Sequence, residues 1–501
     1  MPTLPEAPTS GGEELDDLRS TVITAGRWTI VDKWGGRIAN LVTFGLLAHL
    51  LTPRSFGVVA LALVLTSLLE VFVDQGVSVA LVRIPALSDD IIDTAFAISL
   101  VLSAVMAIAC FALAPVLASG FHEPDLAQVT RLLSVGVLFN GLSSVPEALL
   151  QRDFAFRSLA IRRMLATTLG GVLAVALAFG GAGAEALAAQ YVLAALIGML
   201  VLWRAVARVP KLRIVREHAR ELLSFGLRVA GLDLLAFAGI HADDFLIGVF
   251  LGPVALGYYV VAFRILLLLT EVLTATIGDL ALPTFARMQH DRVRLINAYV
   301  TSVRISVASA VPVFALLGAC VSGLIPTVFG SEWAASVPVA RLLAIVGIVH
   351  AISYFDRPLL IALAHPGVEL MKEAAAVVCD ITGFALAAPH GITWVALVLV
   401  IRNVVFQPIR MAVLRTTAGI PPKTALGAMV PGLVASAFGA GVSAVIVVGR
   451  ADNPVAIAIA VAGGAGMAIL TLRLFFRSVF RELVTLFLTL VGVRARPAPA
   501  A

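Results

Sequence analysis

Leu51-Thr52-Pro53-Arg54-Ser55-Phe56-Gly57 interrupts two long apolar runs, and Leu251-Gly252-Pro253-Val254-Ala255-Leu256-Gly257 interrupts two others further along the chain. Leu, Pro and Gly recur at the same spacing. A second pair of stretches keeps the same order. Val129-Thr130-Arg131-Leu132-Leu133 is matched by Val339-Ala340-Arg341-Leu342-Leu343, and Leu149-Leu150 by Leu359-Leu360 at that second offset. Two separate matches in the same order, on the same expected side of a membrane, indicate an internal duplication.

The runs around these turns decide what kind of chain this is. The 501 residues are 60% hydrophobic and 13% charged, against roughly 25% charged in a soluble domain. The mean hydropathy is +1.01. Such a composition excludes a cytosolic enzyme, a disordered chain and a secreted disulfide scaffold, and leaves a polytopic membrane protein. Cys110, Cys320 and Cys379 are far apart inside apolar stretches and read as small hydrophobes. The net charge of +5 is a topology signal rather than a sign of nucleic acid, because Lys and Arg collect in cytoplasmic loops.

A helix needs about 20 apolar residues to cross the hydrocarbon. Candidate spans fall near 22–49, 56–80, 93–119, 126–149, 158–180, 184–205, 223–250, 254–282, 297–322, 337–363, 367–388, 392–414, 424–448 and 454–475. The segment Phe480 to Val493 is too short to span and is expected at the interface. Residues 1–21 are acidic and polar, without signal-peptide features, and read as a disordered cytoplasmic tail. Arginines collect in the even-numbered loops (Arg152, Arg157, Arg162, Arg163, then Arg204 to Arg220, Arg287 to Arg294, Arg410 to Lys423), while the odd-numbered loops carry few. This alternation predicts both ends inside.

The expected fold is therefore all-α and polytopic, with about fourteen transmembrane helices. Two six-helix bundles, 22–206 and 223–415, are joined by a basic cytoplasmic linker at 207–222. Helices thirteen and fourteen (424–476) and an interfacial helix with a cytoplasmic tail (477–501) complete it. A repeat unit with an even number of spans starts each half on the same side, which relates the halves by a pseudo-twofold along the membrane normal, the layout of transporters that rock about a central cavity.

Ionisable groups inside spans are costly and usually pair or line a cavity. Lys33, Arg37 and Asn40 share one face of span one, and Ser67, Glu70 and Asp74 one face of span two. At about 1.5 Å per residue, Lys33 is level with Asp74 and Arg37 with Glu70. These are either static ion pairs or a cavity wall whose pairs rearrange. Span seven holds Arg228, Asp233, His241, Asp243 and Asp244, and span eight Arg264, Glu271 and Asp279. Arg264 is level with Asp244. Asp233 and Glu271 lie near mid-depth, where neighbouring carboxylates would raise one pKa and could take up a coupling proton. Asp356-Arg357 precedes Pro358, and Lys372 can reach Glu369. The deep cations Lys33, Arg37, Arg228, Arg264 and Arg304, with Asn40, form the candidate substrate cavity, since arginine suits phosphate geometry. Glu70, Asp74, Asp233, Asp244 and Glu271 are the candidates for ion pairing or proton coupling. No P-loop, GxSxG or metal-ligand spacing occurs in the sequence, so neither catalytic residues, metal nor cofactor are expected.

The turn Leu50-Leu51-Thr52-Pro53-Arg54-Ser55-Phe56-Gly57 resembles the L-x-P-x-x-F/Y-G turn of Wzx-type polysaccharide flippases of the multidrug/oligosaccharidyl-lipid/polysaccharide exporter superfamily. Phe72-Val73-Asp74-Gln75-Gly76 is similar to the family's D-x-G signature, and Gln151-Arg152-Asp153-Phe154 to Q-R-x-x-x-F. The likeness is greatest to the exopolysaccharide and teichuronic acid exporter branch. It implies a flippase of the bacterial plasma membrane that carries a polyprenyl-diphosphate-linked oligosaccharide to the outer face. Its implied partners are that glycan, membrane lipids, a glycan polymerase and glycosyltransferases, and a coupling proton or sodium ion, with no nucleic acid. Pro53, Phe56, Gly57, Asp74, Gly76, Gln151 and Arg152 carry the motifs over, as structural turn and packing positions, with Pro253 and Gly257 their repeat counterparts. Three alternatives are weighed against this reading. An ion-coupled multidrug exporter would favour an acidic, aromatic-lined cavity. A membrane glycan polymerase or ligase would need a sizeable outer loop. A non-transporting scaffold would give buried charges no purpose.

Overall fold

A computed structural model describes residues 39–74, 80–82, 84, 87–206, 208–450 and 452–490. Lys33, Arg37 and Gly76 lie outside the described residues, as do the side chains of Asp74 and Arg228. The described residues form helices and no strand; a helix satisfies its own backbone hydrogen bonds where lipid offers none. Six helices come first: α1 (Ala39–Leu50), α2 (Pro53–Asp74), α3 (Asp89–Gly120), α4 (Pro124–Arg152), α5 (Phe156–Phe179) and α6 (Ala184–Ala205). The long α7 (Arg216–Arg287) is two arms joined at Gly252, whose φ of 78° only glycine adopts easily. Then follow α8 (Arg292–Phe329), α9 (Val337–Ser353), α10 (Asp356–Ala362), α11 (Pro366–Ala387), α12 (Ile392–Val413), α13 (Pro422–Val447), α14 (Pro454–Phe475) and α15 (Arg477–Leu490).

Eleven of the described helices are long and apolar enough to cross a membrane. The chain is an all-α, multi-pass membrane protein. Fourteen spans are compatible with this count. The kinked α7 holds an apolar arm on either side of Gly252, α11 is charged (Glu369, Lys372, Glu373, Asp380), and Ala39–Leu50 is a shorter apolar helix. Helix starts follow local chemistry. Ser88, Asp291 and Asn453 accept hydrogen bonds from the first-turn amides of α3, α8 and α14. Proline opens α2, α4, α11, α13 and α14, where its missing N–H costs nothing.

The chain divides into two compact units. One holds the described residues through Leu51 with Val58–Ala238, and the other Thr52–Gly57 with Gly239 onward. In the first unit, small residues let helices touch closely. A Cβ on Gly171 of α5 would meet Thr43 of α1 at 2.5 Å, and one on Gly170 would meet the Gln190 carbonyl of α6 at 2.9 Å. Phe96 and Trp203 pack edge to face at 5.3 Å, and the Trp203 indole donates to the Leu142 carbonyl at 3.1 Å. The stretch after α6 is no free loop. Arg208 bonds Asp89 and Asp93 at 2.6 and 3.1 Å, the Lys211 amide donates to Asp93 at 2.9 Å, and Arg213 meets Asp90 at 2.5 Å. Helix α7 has already begun at Arg216.

In the second unit, the two quoted turns meet. A Cβ on Gly57 would lie 2.9 Å from Pro253 Cα and nearer still to its carbonyl. One on Gly257 would lie 2.7 Å from the Pro53 carbonyl carbon and 3.2 Å from the Gly57 nitrogen. Each glycine stands four residues after its own proline and makes room for the other turn's proline. Phe56 packs edge to face on the fully buried Trp333 at 5.3 Å, and Tyr258 does so at 6.1 Å. Helix α13 lies against α8 through Gly432, whose Cβ would meet the Val307 carbonyl at 2.5 Å. The duplication also shows in burial: from His122 to Leu138 the succession of buried, half-buried and exposed positions equals that from Glu332 to Ile348.

Candidate functional site

A cleft of about 790 Å³ opens in the first unit between α2, α4, α5 and α6. Its polar wall comes from the hairpin of α4 and α5. Arg152 ends α4 by donating to the carbonyls of Leu81 (3.1 Å) and Ile84, and Phe154 turns the chain with a φ of 54°. This short turn brings Glu147 and Gln151 opposite Arg162 and Arg163. Glu147 and Arg162 form an ion pair at 2.5 Å. Gly198 of α6 leaves room for that guanidinium, since a Cβ there would stand 3.2 Å from Nε. Across the cleft, Asn140 of α4 donates to Glu70 of α2 at 2.8 Å. Thr66, Ser67, Thr167 and Tyr191 add hydroxyls, and Phe156 a ring face. The cleft thus holds two carboxylates, two guanidiniums, two amides and four hydroxyls among apolar helices.

Of the residues expected to form a site, Glu70 and the motif residue Gln151 line this cleft. Asn40 is half-buried on α1. Arg162 and Arg163, counted with the arginines of the loop after span four, lie near the start of α5, which begins at Phe156. Asp233 and Glu271 are both exposed, in different units. Asp244 stands 3.6 Å from His241 and not in an ion pair with Arg264, which bonds to no other side chain among the described residues. Arg304 is held by Glu482 of the terminal helix α15 at 2.8 and 2.9 Å.

The second unit carries polar staples. Arg410 of α12, only 6% exposed, reaches Asp356 (3% exposed) through Nε and Nη2, the latter at 3.1 Å. It also donates to the Tyr299 hydroxyl at 2.9 Å, and that hydroxyl donates to Asp356 at 2.6 Å. Its bond to the Ile352 carbonyl, 3.0 Å, satisfies an acceptor freed where α9 breaks into α10. Asp356 therefore pairs with Arg410, not with its neighbour Arg357. Arg402 chelates Asp380 at 2.9 and 3.0 Å, Tyr259 donates to Asp243 at 2.6 Å, and Lys372 bonds Glu369 at 2.9 Å as its spacing suggests.

Sequence reasoning missed Glu147, Asn140, Thr167 and Tyr191 as one group. Amides and hydroxyls in a helix carry no linear signal, although Glu147 and Arg162 flank the Gln151-Arg152 motif and were within reach of it.

The family described as Polysaccharide biosynthesis protein matches residues 46–338. The chain is 29% identical over 318 residues to the succinoglycan biosynthesis transport protein ExoT of Rhizobium meliloti, a match covering 64% of each chain. It is 23% identical over 400 residues to the lipopolysaccharide biosynthesis protein WzxC of Escherichia coli, covering 78% of this chain and 80% of that one. With the teichuronic acid biosynthesis protein TuaB of Bacillus subtilis it shares 23% over 341 residues, 68% of this chain and 70% of the other. Among solved structures, the lipid II flippase MurJ in an inward closed conformation superposes with a TM-score of 0.72 at 13% identity, covering 92% of this chain and all of that one. At that identity the likeness shows the fold alone.

Proposed function

The chain belongs to the polysaccharide biosynthesis protein family, and on that premise we propose that it carries a lipid-linked glycan precursor across a bacterial plasma membrane. The cargo is a polyprenyl-diphosphate-linked oligosaccharide, moved from the cytoplasmic to the outer leaflet by alternating access of two bundles. The observation that carries this reading is a roomy polar cleft inside helices that are otherwise apolar. Such a cleft lets a hydrophilic head group travel at membrane depth while its lipid stays in the bilayer. The relatives named for succinoglycan transport and lipopolysaccharide biosynthesis support it.

In this reading both termini face the cytoplasm, as the arginine-rich loops indicate. The cleft then lies on the cytoplasmic side, where the α4–α5 turn is. Lys33, Arg37, Arg228 and Arg264 would meet the diphosphate. Arg304 has a structural partner in Glu482 and serves instead to hold α15. Glu70, Asp74, Asp233, Asp244 and Glu271 are the groups through which a proton or sodium ion would couple. A polymerase and glycosyltransferases would act on the same glycan before and after transport.

A deletion strain tests the proposal. Its surface glycan should disappear and lipid-linked intermediates should accumulate on the cytoplasmic face, both reversed by the intact gene. Normal surface glycan in a clean deletion would overturn it.

A further inference from the structure

We propose that the cleft of the first unit takes the saccharide of the cargo and not its diphosphate; this rests on the flippase reading above. Charge makes the first argument. Glu70 and Glu147 balance Arg162 and Arg163, and Glu147 already neutralises Arg162 at 2.5 Å. A diphosphate placed there would face two carboxylates, and like charges at close range are repelled. A sugar hydroxyl brings no charge, and both donates and accepts.

The lining chemistry makes the second argument. Asn140 and Gln151 each present an acceptor and two donors, and a carboxylate such as Glu70 accepts from hydroxyls through charge-assisted bonds. Phe156 and Tyr191 supply apolar ring faces against which the C–H face of a sugar ring can pack, Tyr191 with a hydroxyl at its edge. The volume of about 790 Å³ lies within the roughly 300–1,000 Å³ of small-molecule sites. Asn140 and Glu70 hold each other at 2.8 Å, so both are set before a ligand arrives.

The test uses the full chain in its own host. A photo-reactive benzoylphenylalanine replaces Ala166 or Ala195, both of which line the cleft, with a control at Val172, which is 62% exposed. After irradiation the protein is purified and treated with mild acid, which splits the sugar–phosphate bond. The expected adduct at Ala166 and Ala195 keeps the mass of sugars without phosphorus or polyprenol, and is missing at Val172. Asn140→Leu should reduce capture about tenfold, the equivalent of one hydrogen bond, and Gln151→Leu should weaken it in the same direction. An adduct that keeps phosphate or polyprenol would overturn the saccharide assignment while leaving the flippase reading intact. So would no cleft adduct in cells that still export glycan. Failure of the flippase reading shows separately, as normal export in the deletion strain.

Discussion

The carbonyl group of Pro253 occupies the space into which a Cβ on Gly57 would project, and the Pro53 carbonyl does the same to Gly257. The relationship is reciprocal, as expected of two copies of one turn packed on each other. Gly57→Ala and Gly257→Ala each push a methyl into backbone that cannot give way. Each should lower stability by about 1–3 kcal/mol, read as a fall in the unfolding temperature of the purified protein. Gly427→Ala, where an added Cβ meets nothing within 4 Å, should leave it unchanged or raise it slightly.

The Asp356–Arg410–Tyr299 group gives a second expectation. Arg410→Leu leaves the Asp356 carboxylate buried without its partner, and should cost about 3–5 kcal/mol. Asp356→Leu together with Arg410→Leu removes both charges and should be less destabilised than Arg410→Leu alone. Thermal unfolding of the three proteins checks the order. If the double variant is the least stable, the group is not acting as a compensated pair.

Much of the fold was legible in the chain, because hydropathy and the Leu-Pro-Gly spacing report directly on membrane spans and on duplication. Pro53, Gly57, Pro253 and Gly257 stand out by spacing alone, but spacing carries no sign that the two turns touch. Charge pairing was less legible. Lys372 and Glu369 are one helical turn apart and were readable. Asp356 and Arg410 are 54 residues apart, and Arg304 and Glu482 are 178 apart. Depth matching along helices has no access to such partners, since it says nothing of which helices are neighbours. Depth alone sets Asp244 level with Arg264, whereas Asp244 stands near His241. The cleft was hidden for another reason: Asn140, Thr167 and Tyr191 are ordinary helix residues until four helices bring them together.

Helix α15 is anchored by one ion pair and by Val479, which is buried with Leu472 and Ala308. Glu482→Ala removes the partner of Arg304 and should loosen the helix, at a cost of about 1 kcal/mol for a half-exposed pair. Limited proteolysis should then cleave near Phe476 sooner than in the parent protein. The exchange Arg304→Glu with Glu482→Arg should slow cleavage again. Equal cleavage in all three proteins would show that the pair does not hold the helix.

Arg264 pairs with no carboxylate among the described residues and sits half-buried on the second arm of α7. Arg264→Ala is expected to abolish glycan export while leaving the protein inserted and abundant, and Arg37→Ala to do the same. Surface glycan staining beside immunoblotting of membranes reads both at once. Normal export by both variants would remove these cations from the path of the cargo.

Transbilayer movement itself is the most direct measurement. The purified protein is reconstituted into vesicles with lipid-linked glycan extracted from the deletion strain, and the share of glycan open to an externally added glycosidase is followed with time. Glycan enclosed in the inner leaflet should become accessible in vesicles containing the protein, and much more slowly with Arg264→Ala. Accessibility that rises no faster than in protein-free vesicles would contradict the account.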